Sequence, residues 1–344
     1  MPGMLRALGP LLTAALVLAT CGCGSSSETS TAKGASASGA QASKRVRLAY
    51  FAPGTANALS AGHQKGIEEA ADRLGATVTT FDAKLDPREQ LNQIQTATSS
   101  GKFDAFVIFP LDGNAIAPVV RQAIQQGVKV VSIFSTIGPD PNKLEPQVPG
   151  LSSTVATGID DAGRRLGQLT VDACGHQDPC KVAYLPGLAN FFPEKVRLDA
   201  FKRAIAGSHV DLVAVQNGQY AAAPALKVTQ DVLQAHPDLD VVTTSGDQMT
   251  EGAAQAVASA GKADSVRLIG GGASVKAVDA VRSGRWFGSY VILPETEGQL
   301  GARYAIAAAR GKKVPGAVRS IDKSPIGPVL LKSNAGRFTG QWDG

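Results

Sequence analysis

The chain has 344 residues, of which 44% are hydrophobic, 18% charged and 5% aromatic, with a formal net charge of +5. That length accommodates two domains of ordinary size, and the composition is globular and Ala/Gly-rich, which excludes a fibrous or wholly disordered protein. The basic residues form no cluster interleaved with aromatics, so the charge does not argue for nucleic acid as a partner.

Leu11 to Ala19 is a short apolar run preceded by Arg6, too short to span a bilayer and shaped like a secretory signal. Cys21 and Cys23 follow, then a Ser/Ala/Gly-rich stretch that cannot bury enough surface to order itself. This order resembles that of a bacterial lipoprotein. It implies a signal peptide over 1–20, acylation at Cys21, which has Leu18 three places before it, and a flexible tether over 21–44. Cys23, preceded by Gly22, is the competing acylation site, and plain secretion is the simpler alternative.

Arg45 to Ala52 reads as the first strand, and Leu59 to Leu74 as a helix stopped by Gly75. Ala76 to Phe81 is a second strand, and Asp86-Pro87 opens a second helix with Pro in a tolerated early position. Ala105 to Phe109 is an unbroken apolar run, as expected of a strand covered on both faces. Asp112 is placed to cap the next helix, whose Ile116, Val119, Val120, Ala123 and Ile124 recur at helical spacing. Val128 to Phe134 is another apolar run. Strand, helix and strand in about thirty residues make a βαβ unit, with parallel strands and a right-handed crossover. Ligands of such sheets sit beyond the carboxyl ends of the strands, here Phe109 to Asp112 and Phe134 to Thr136.

Residues 138–150 contain four prolines and read as an irregular crossing between lobes. Alternation then resumes, with helices expected over 162–173, 194–206, 224–235, 250–260, 276–282 and 297–310. Strands are expected over 181–185, 211–216, 241–244, 266–269 and 286–293. Two similar α/β halves suggest two lobes with a cleft. Cys174 and Cys180 enclose GHQDP. Outside the cytoplasm such a pair is most simply a disulfide; a metal site with His176 matches no standard zinc pattern.

In this order the segments KGIEEAADRLGA (65–76), DPREQLNQI (86–94), DAFVIFPLDGNAIAPVV (104–120), RLDAFKRAI (197–205), LQAHPDLDVV (233–242) and VDAVRSGRWFGSYVILPETEGQLG (278–301) resemble the type I periplasmic sugar-binding proteins, the ribose-binding-like receptors of ABC importers. The likeness covers about 45–332. It implies an α/β fold of two Rossmann-like lobes with parallel sheets, joined by a three-crossing hinge and closing on a ligand. The lobes would be 45–155 plus 294–324 and 156–293 plus 325–340. It also implies a monomer that captures a small-molecule ligand outside the cytoplasm, delivers it to a membrane permease, and needs no cofactor.

Carried over residue by residue, the resemblance implies a pocket containing Asn57, Phe134, Ser135, Arg197, Asp247, Gly272 and Ile292. A family Asn in the crossing segment falls on Ile159, or on Asp160 if the register slips by one. Phe191 and Phe192 are candidates for an aromatic wall, with Phe192 taken as the contact, and Tyr220 lies where relatives often place an aromatic. The family's polar residues after the fourth strand, after Leu268-Ile269-Gly270 and before Leu293-Pro294 fall here on Phe134-Ser135, Gly272 and Ile292. A pyranose site needs several groups that pair with hydroxyls. The losses leave two ligand classes open: a sugar, or a less hydroxylated nucleoside, aromatic or alicyclic compound.

Asp112 is more simply a helix cap than a ligand contact, and Trp286 more simply core packing. His63, His176, His209 and His236 lack the mutual spacing of a metal site. The run Gly270-Gly271-Gly272 lacks the spacing and first-strand context of a dinucleotide fingerprint. No GxSxG or P-loop argues for an enzyme. A transcriptional regulator of the same fold would need a DNA-binding domain where this chain has a leader and tether. A sensor that binds without transporting is not separable by sequence.

Overall fold

The computed structural model describes residues 45–188 and 191–344; the expected leader, tether and acylated Cys21 lie outside them. The first half runs β1 (Val46–Ala52), α1 (Ala58–Leu74), β2 (Ala76–Asp82), α2 (Pro87–Ser100), β3 (Ala105–Ile108), α3 (Gly113–Gln125), β4 (Lys129–Ile133) and β5 (Ser153–Ala156). The second runs α4 (Ile159–Cys174), β6 (Cys180–Leu185), α5 (Phe192–Ile205), β7 (Val210–Val215), α6 (Ala222–Ala235), β8 (Val241–Thr244), α7 (Asp247–Ser259), β9 (Arg267–Gly272), α8 (Val275–Ser283) and β10 (Gly288–Val291). Then come α9 (Pro294–Ala309), β11 (Ala317–Arg319) and β12 (Val329–Leu331).

The strands of the described residues form two six-stranded sheets, ordered β2-β1-β3-β4-β5-β11 and β7-β6-β8-β9-β10-β12. The first is parallel throughout. The second is parallel except for β12, which runs antiparallel to β10. All four residues of β3 are buried, as its unbroken apolar run requires. Local chemistry sets the helix starts: the carboxylates of Asp86 and Asp112 accept from first-turn N–H groups of α2 and α3. Gly75 and Gly101 end α1 and α2 in the left-handed conformation.

The proline-rich stretch departs from expectation. Residues 138–150 do not cross between lobes, because β5 follows them and pairs with β4 in the first sheet, Ile133 opposite Val155. The stretch is an excursion within the first lobe. It is held by Gln147, whose Nε2 donates to the Asp140 carbonyl at 2.6 Å and whose Oε1 accepts from the Asp140 N–H at 2.9 Å. The chain leaves the first sheet after Ala156, returns at Pro294 and leaves again after the 3-10 turn Ser320–Lys323.

Among the described residues, three apolar clusters fill the fold. One lies under α2 and α3, and one between the second sheet and α6 to α8. The third is continuous through both lobes: it joins the α1/α9 side of the first sheet to the α4/α5 side of the second and includes Phe134, Ile159, Tyr290 and Ile292. Cys174 and Cys180 are disulfide-bonded, tying the end of α4 to the start of β6. No helix among the described residues is long and apolar enough to cross a membrane.

Helices α1 and α9 approach backbone to backbone. A Cβ on Gly66 would lie 2.1 Å from the Glu295 carbonyl oxygen, and one on Gly298 would lie 2.2 Å from that of His63. Gly66→Ala should therefore force the pair apart and lower stability by about 1–3 kcal/mol or more. The measurement is urea unfolding, with a lower midpoint at unchanged slope. An unchanged midpoint would refute so close a contact.

Candidate functional site

The carboxyl ends of the two sheets face a cleft at the hinge. On the first-lobe side, Asn57 caps α1, its side-chain oxygen accepting from the Leu59 N–H at 2.9 Å, and so sets Leu59 and Ser60 at the cleft wall. The loop after β3 is clamped by the buried Gln90, which donates to the Phe109 carbonyl and accepts from the Leu111 N–H, both at 2.8 Å. That clamp fixes Phe109 and Leu111 in the wall. Phe134 follows β4 with a left-handed φ of 67° and stacks on Phe109 with centroids 4.3 Å apart. Both rings meet the buried His63 edge-on.

The second-lobe wall is built around a charged pair. Glu194 and Arg197 lie one turn apart on α5, both buried, and the Glu194 carboxylate accepts from the Arg197 guanidinium and from the Tyr220 hydroxyl. Arg197 also donates to the Tyr220 oxygen at 3.4 Å. Burial alone would lower the guanidinium, but the adjoining Glu194 carboxylate overrides it and holds Arg197 above its ordinary value. Burial, with the same carboxylate, pushes the Tyr220 phenol well up, so it stays neutral. Phe191, Ser245, Gly246, Gln248, Gly271 and Ile292 complete the side together with Trp342. The cavity between the walls is about 50 Å³. A smaller one of about 10 Å³, room for one water at most, lies behind it against Thr157, Tyr290 and Glu297.

Of the residues expected in the pocket, the structure brings Asn57, Phe134, Arg197, Tyr220 and Ile292 to this cleft. The other five lie elsewhere. Ser135 sits behind the wall, its hydroxyl 3.5 Å from the Pro110 carbonyl. Asp160 points away and pairs with Arg203 on α5; its neighbour Ile159 faces the small inner cavity. Phe192 is 45% exposed, while Phe191 takes the wall position. Gly272 is covered by Trp342, whose indole N–H donates to its carbonyl at 3.1 Å.

Asp247 turns inward. Its Oδ2 accepts from the Ser274 N–H at 2.7 Å and its Oδ1 from the Ser289 hydroxyl at 2.9 Å. Burial pushes its carboxyl up to about 6, against the pull of those two donors. It braces the β8, β9 and β10 ends rather than facing the cleft. Gln248, the next residue, faces the cleft instead; among the described residues its Oε1 is buried without a hydrogen-bond partner.

Residues 48–313 match the family model described as periplasmic binding protein domain. The chain belongs to that family. It is 28% identical over 249 residues to the ribose import binding protein of Salmonella typhimurium, covering 72% of this chain and 80% of the relative. It is 29% identical over 270 residues to the D-allose-binding periplasmic protein of Escherichia coli, covering 76% and 83%. An ABC transporter solute binding protein from Mycobacterium smegmatis, solved with bound glycerol, superposes with a TM-score of 0.73 at 26% identity, over 87% of this chain and 99% of that one. A periplasmic solute binding protein from Actinobacillus succinogenes with bound D-allose shares the fold at a TM-score of 0.74 and 20% identity, over 86% and 100%.

The residue-by-residue pocket leaves out several cleft residues, Phe109, Leu111, Gln248 and Trp342 among them. Phe109 and Leu111 carried a usable signal, since they stand at a strand's carboxyl end. Trp342 carried none, being 29 residues beyond the end of the family match. The buried state of Asp247 gives a test. Its carboxyl titrates near 3.8 unfolded and about 6 folded. The folded state therefore binds the proton more tightly, and this contribution favours folding below pH 4 and is lost as pH rises through 6. Asp247→Asn, which keeps an acceptor for Ser274, should remove a stability loss on the order of 2–3 kcal/mol between pH 4 and 7. Chemical unfolding at both pH values in both proteins checks this; parallel profiles would show Asp247 to be ordinary.

Proposed function

We propose that the chain is the extracytoplasmic receptor of an ABC importer, capturing a neutral sugar or sugar-like solute between its lobes and passing it unchanged to a membrane permease. The observation that carries this reading is the cleft at the carboxyl ends of two parallel sheets, where such folds take ligands. The Glu194–Arg197 pairing supports a neutral solute, because the guanidinium charge is already balanced within the wall. Relatives named for ribose import and for D-allose binding support the sugar class. A second reading is favoured by the wall itself: Phe109, Phe134, Ile292 and Trp342 suit a solute with fewer hydroxyls, such as a nucleoside or alicyclic compound. Receptor duty needs no chemistry on the solute, and a monomer suffices. Anchorage through Cys21 fits the leader and tether; Cys21→Ser should abolish acylation, read by mass spectrometry of the membrane fraction, and persistent acylation would move the site to Cys23.

A thermal-shift panel of ribose, allose, xylose, uridine, adenosine and cyclohexanediols tests the ligand class. A solute at a hundredfold its Kd should stabilise the protein by about 2.7 kcal/mol. Stabilisation by ribose or allose supports the sugar class; stabilisation by the nucleosides or diols alone supports the second reading. A panel without effect would sink both. Gln248→Leu removes an unpartnered acceptor at the wall and should weaken the bound solute about tenfold with the melting temperature of the free protein unchanged. Arg197→Ala is not a clean probe, since it strands the buried Glu194 carboxylate at a cost of about 3–5 kcal/mol.

A further inference from the structure

We propose that Trp342 is a specificity-determining wall of the cleft, and that it selects solutes with a contiguous apolar ring face over open polyols. This rests on the reading of the cleft as the ligand site. Trp342 lies outside the stretch that matches the family, yet its indole lines the same cavity as Phe109 and Phe134. It is fixed there from both lobes. On the second lobe, its Nε1–H donates to the Gly272 carbonyl at 3.1 Å, and its own carbonyl accepts from the Val275 N–H at 2.9 Å. Gly272 has a φ of 148°, and a Cβ there would fall 2.1 Å from the indole Cζ2. Only glycine admits the ring at this place. Next to it, Gln341 reaches the first lobe: its Oε1 accepts from the Thr296 N–H at 3.0 Å, and its Nε2 donates to the Thr296 hydroxyl at 2.8 Å. Thr296 is in the first turn of α9, just past the second crossing.

The chemistry follows from what the indole has left to offer. Its one polar group is spent on Gly272, so toward the cleft it presents ring carbon alone. Such a surface binds by dispersion and by C–H contacts with its negative face, which reward a flat run of C–H groups on the partner. A furanose, pyranose, nucleoside or alicyclic ring presents such a run; a flexible polyol presents it only after losing conformational freedom.

Isothermal titration and thermal shift of wild type, Trp342→Phe, Trp342→Leu and Trp342→Ala with D-ribose, D-allose, uridine and glycerol provide the test. Cleft binding is confirmed separately by Trp342 emission in a Trp286→Phe background, since the chain has two tryptophans. The expected result is that ring probes bind wild type better than glycerol does, lose about tenfold in Trp342→Ala and in Trp342→Leu, and recover to within about threefold in Trp342→Phe. The Leu variant fills much of the space without a ring face, so a merely structural role would leave Leu and Phe alike. A ring probe that binds wild type and the Leu variant equally overturns the assignment of Trp342 while the receptor reading stands. If no probe binds wild type at millimolar concentration, the cleft is not a site for these solutes and both fall.

Discussion

Glu297 is the buried group on which the arrangement of the hinge depends. A carboxylate out of water costs several kcal/mol unless it is paired and hydrogen-bonded. Here the partners come from separate parts of the chain. The His63 Nε2 lies 2.8 Å from Oε2, and the Ser320 hydroxyl donates to Oε1 at 2.5 Å. Ser320 in turn meets the Thr157 hydroxyl at 2.7 Å. Thr157 belongs to the first crossing, Glu297 follows the second, and Ser320 opens the third. Satisfying one carboxylate therefore brings the three crossings to one point. His63 is itself oriented by its own helix, with Nδ1 donating to the Leu59 carbonyl at 3.0 Å. Its ring then braces Phe109 and Phe134, so the constraint that gathers the hinge also sets the first-lobe wall.

The second wall has a comparable anchor. Glu194 and Arg197, three residues apart, share a helix face, and both close on the Tyr220 hydroxyl from a loop at a left-handed φ of 51°. The Tyr220 ring packs on Gly187, where a Cβ would lie 2.1 Å from it. The contacts of Arg197 and Tyr220 to Glu194 Oε1 are thus made within the wall before any solute arrives, while among the described residues Glu194 Oε2 is buried without a hydrogen-bond partner. Between the two anchors the apolar floor of Ile159, Tyr290 and Ile292 belongs to the core that runs through both lobes. The cleft is a gap in a continuous packed surface, bounded by two buried clusters of hydrogen-bonded polar groups.

This division explains what was legible in the sequence. The alternation of strands and helices, the caps at Asp86 and Asp112 and the ligand-side ends at Phe109 and Phe134 follow from local chemistry and could be read directly. Strand β5 could not: Ser153–Ala156 is four residues long with two hydroxyl side chains, and only pairing between β4 and β11 makes it a strand. At two of the expected pocket positions a chain neighbour takes the cleft face. At the start of a helix successive side chains diverge by about 100°, so Asp247 turns inward where Gln248 faces the cleft, and Phe192 meets solvent where Phe191 lines the wall. A pattern carried along the chain identifies the turn but not which of two neighbours the packing will rotate inward.

Gly272 shows a deeper limit. Where the resemblance implies a polar residue, this chain has a glycine, and taken alone that reads as a lost contact. The structure makes it one half of a pair. A side chain at 272 would collide with Trp342, and without the glycine the indole could not seat on that carbonyl. At the end of β9 the chain instead seats an aromatic ring delivered 70 residues later in the chain. Hydrogen bonding to hydroxyls and contact with a ring face reward different features of a solute. A position-by-position comparison registers only the missing polar residue, because Trp342 lies beyond the stretch that the family model matches. The chemistry of this cleft is therefore set by a long-range complementarity between an absent side chain and a large one, and only the folded chain brings the two together.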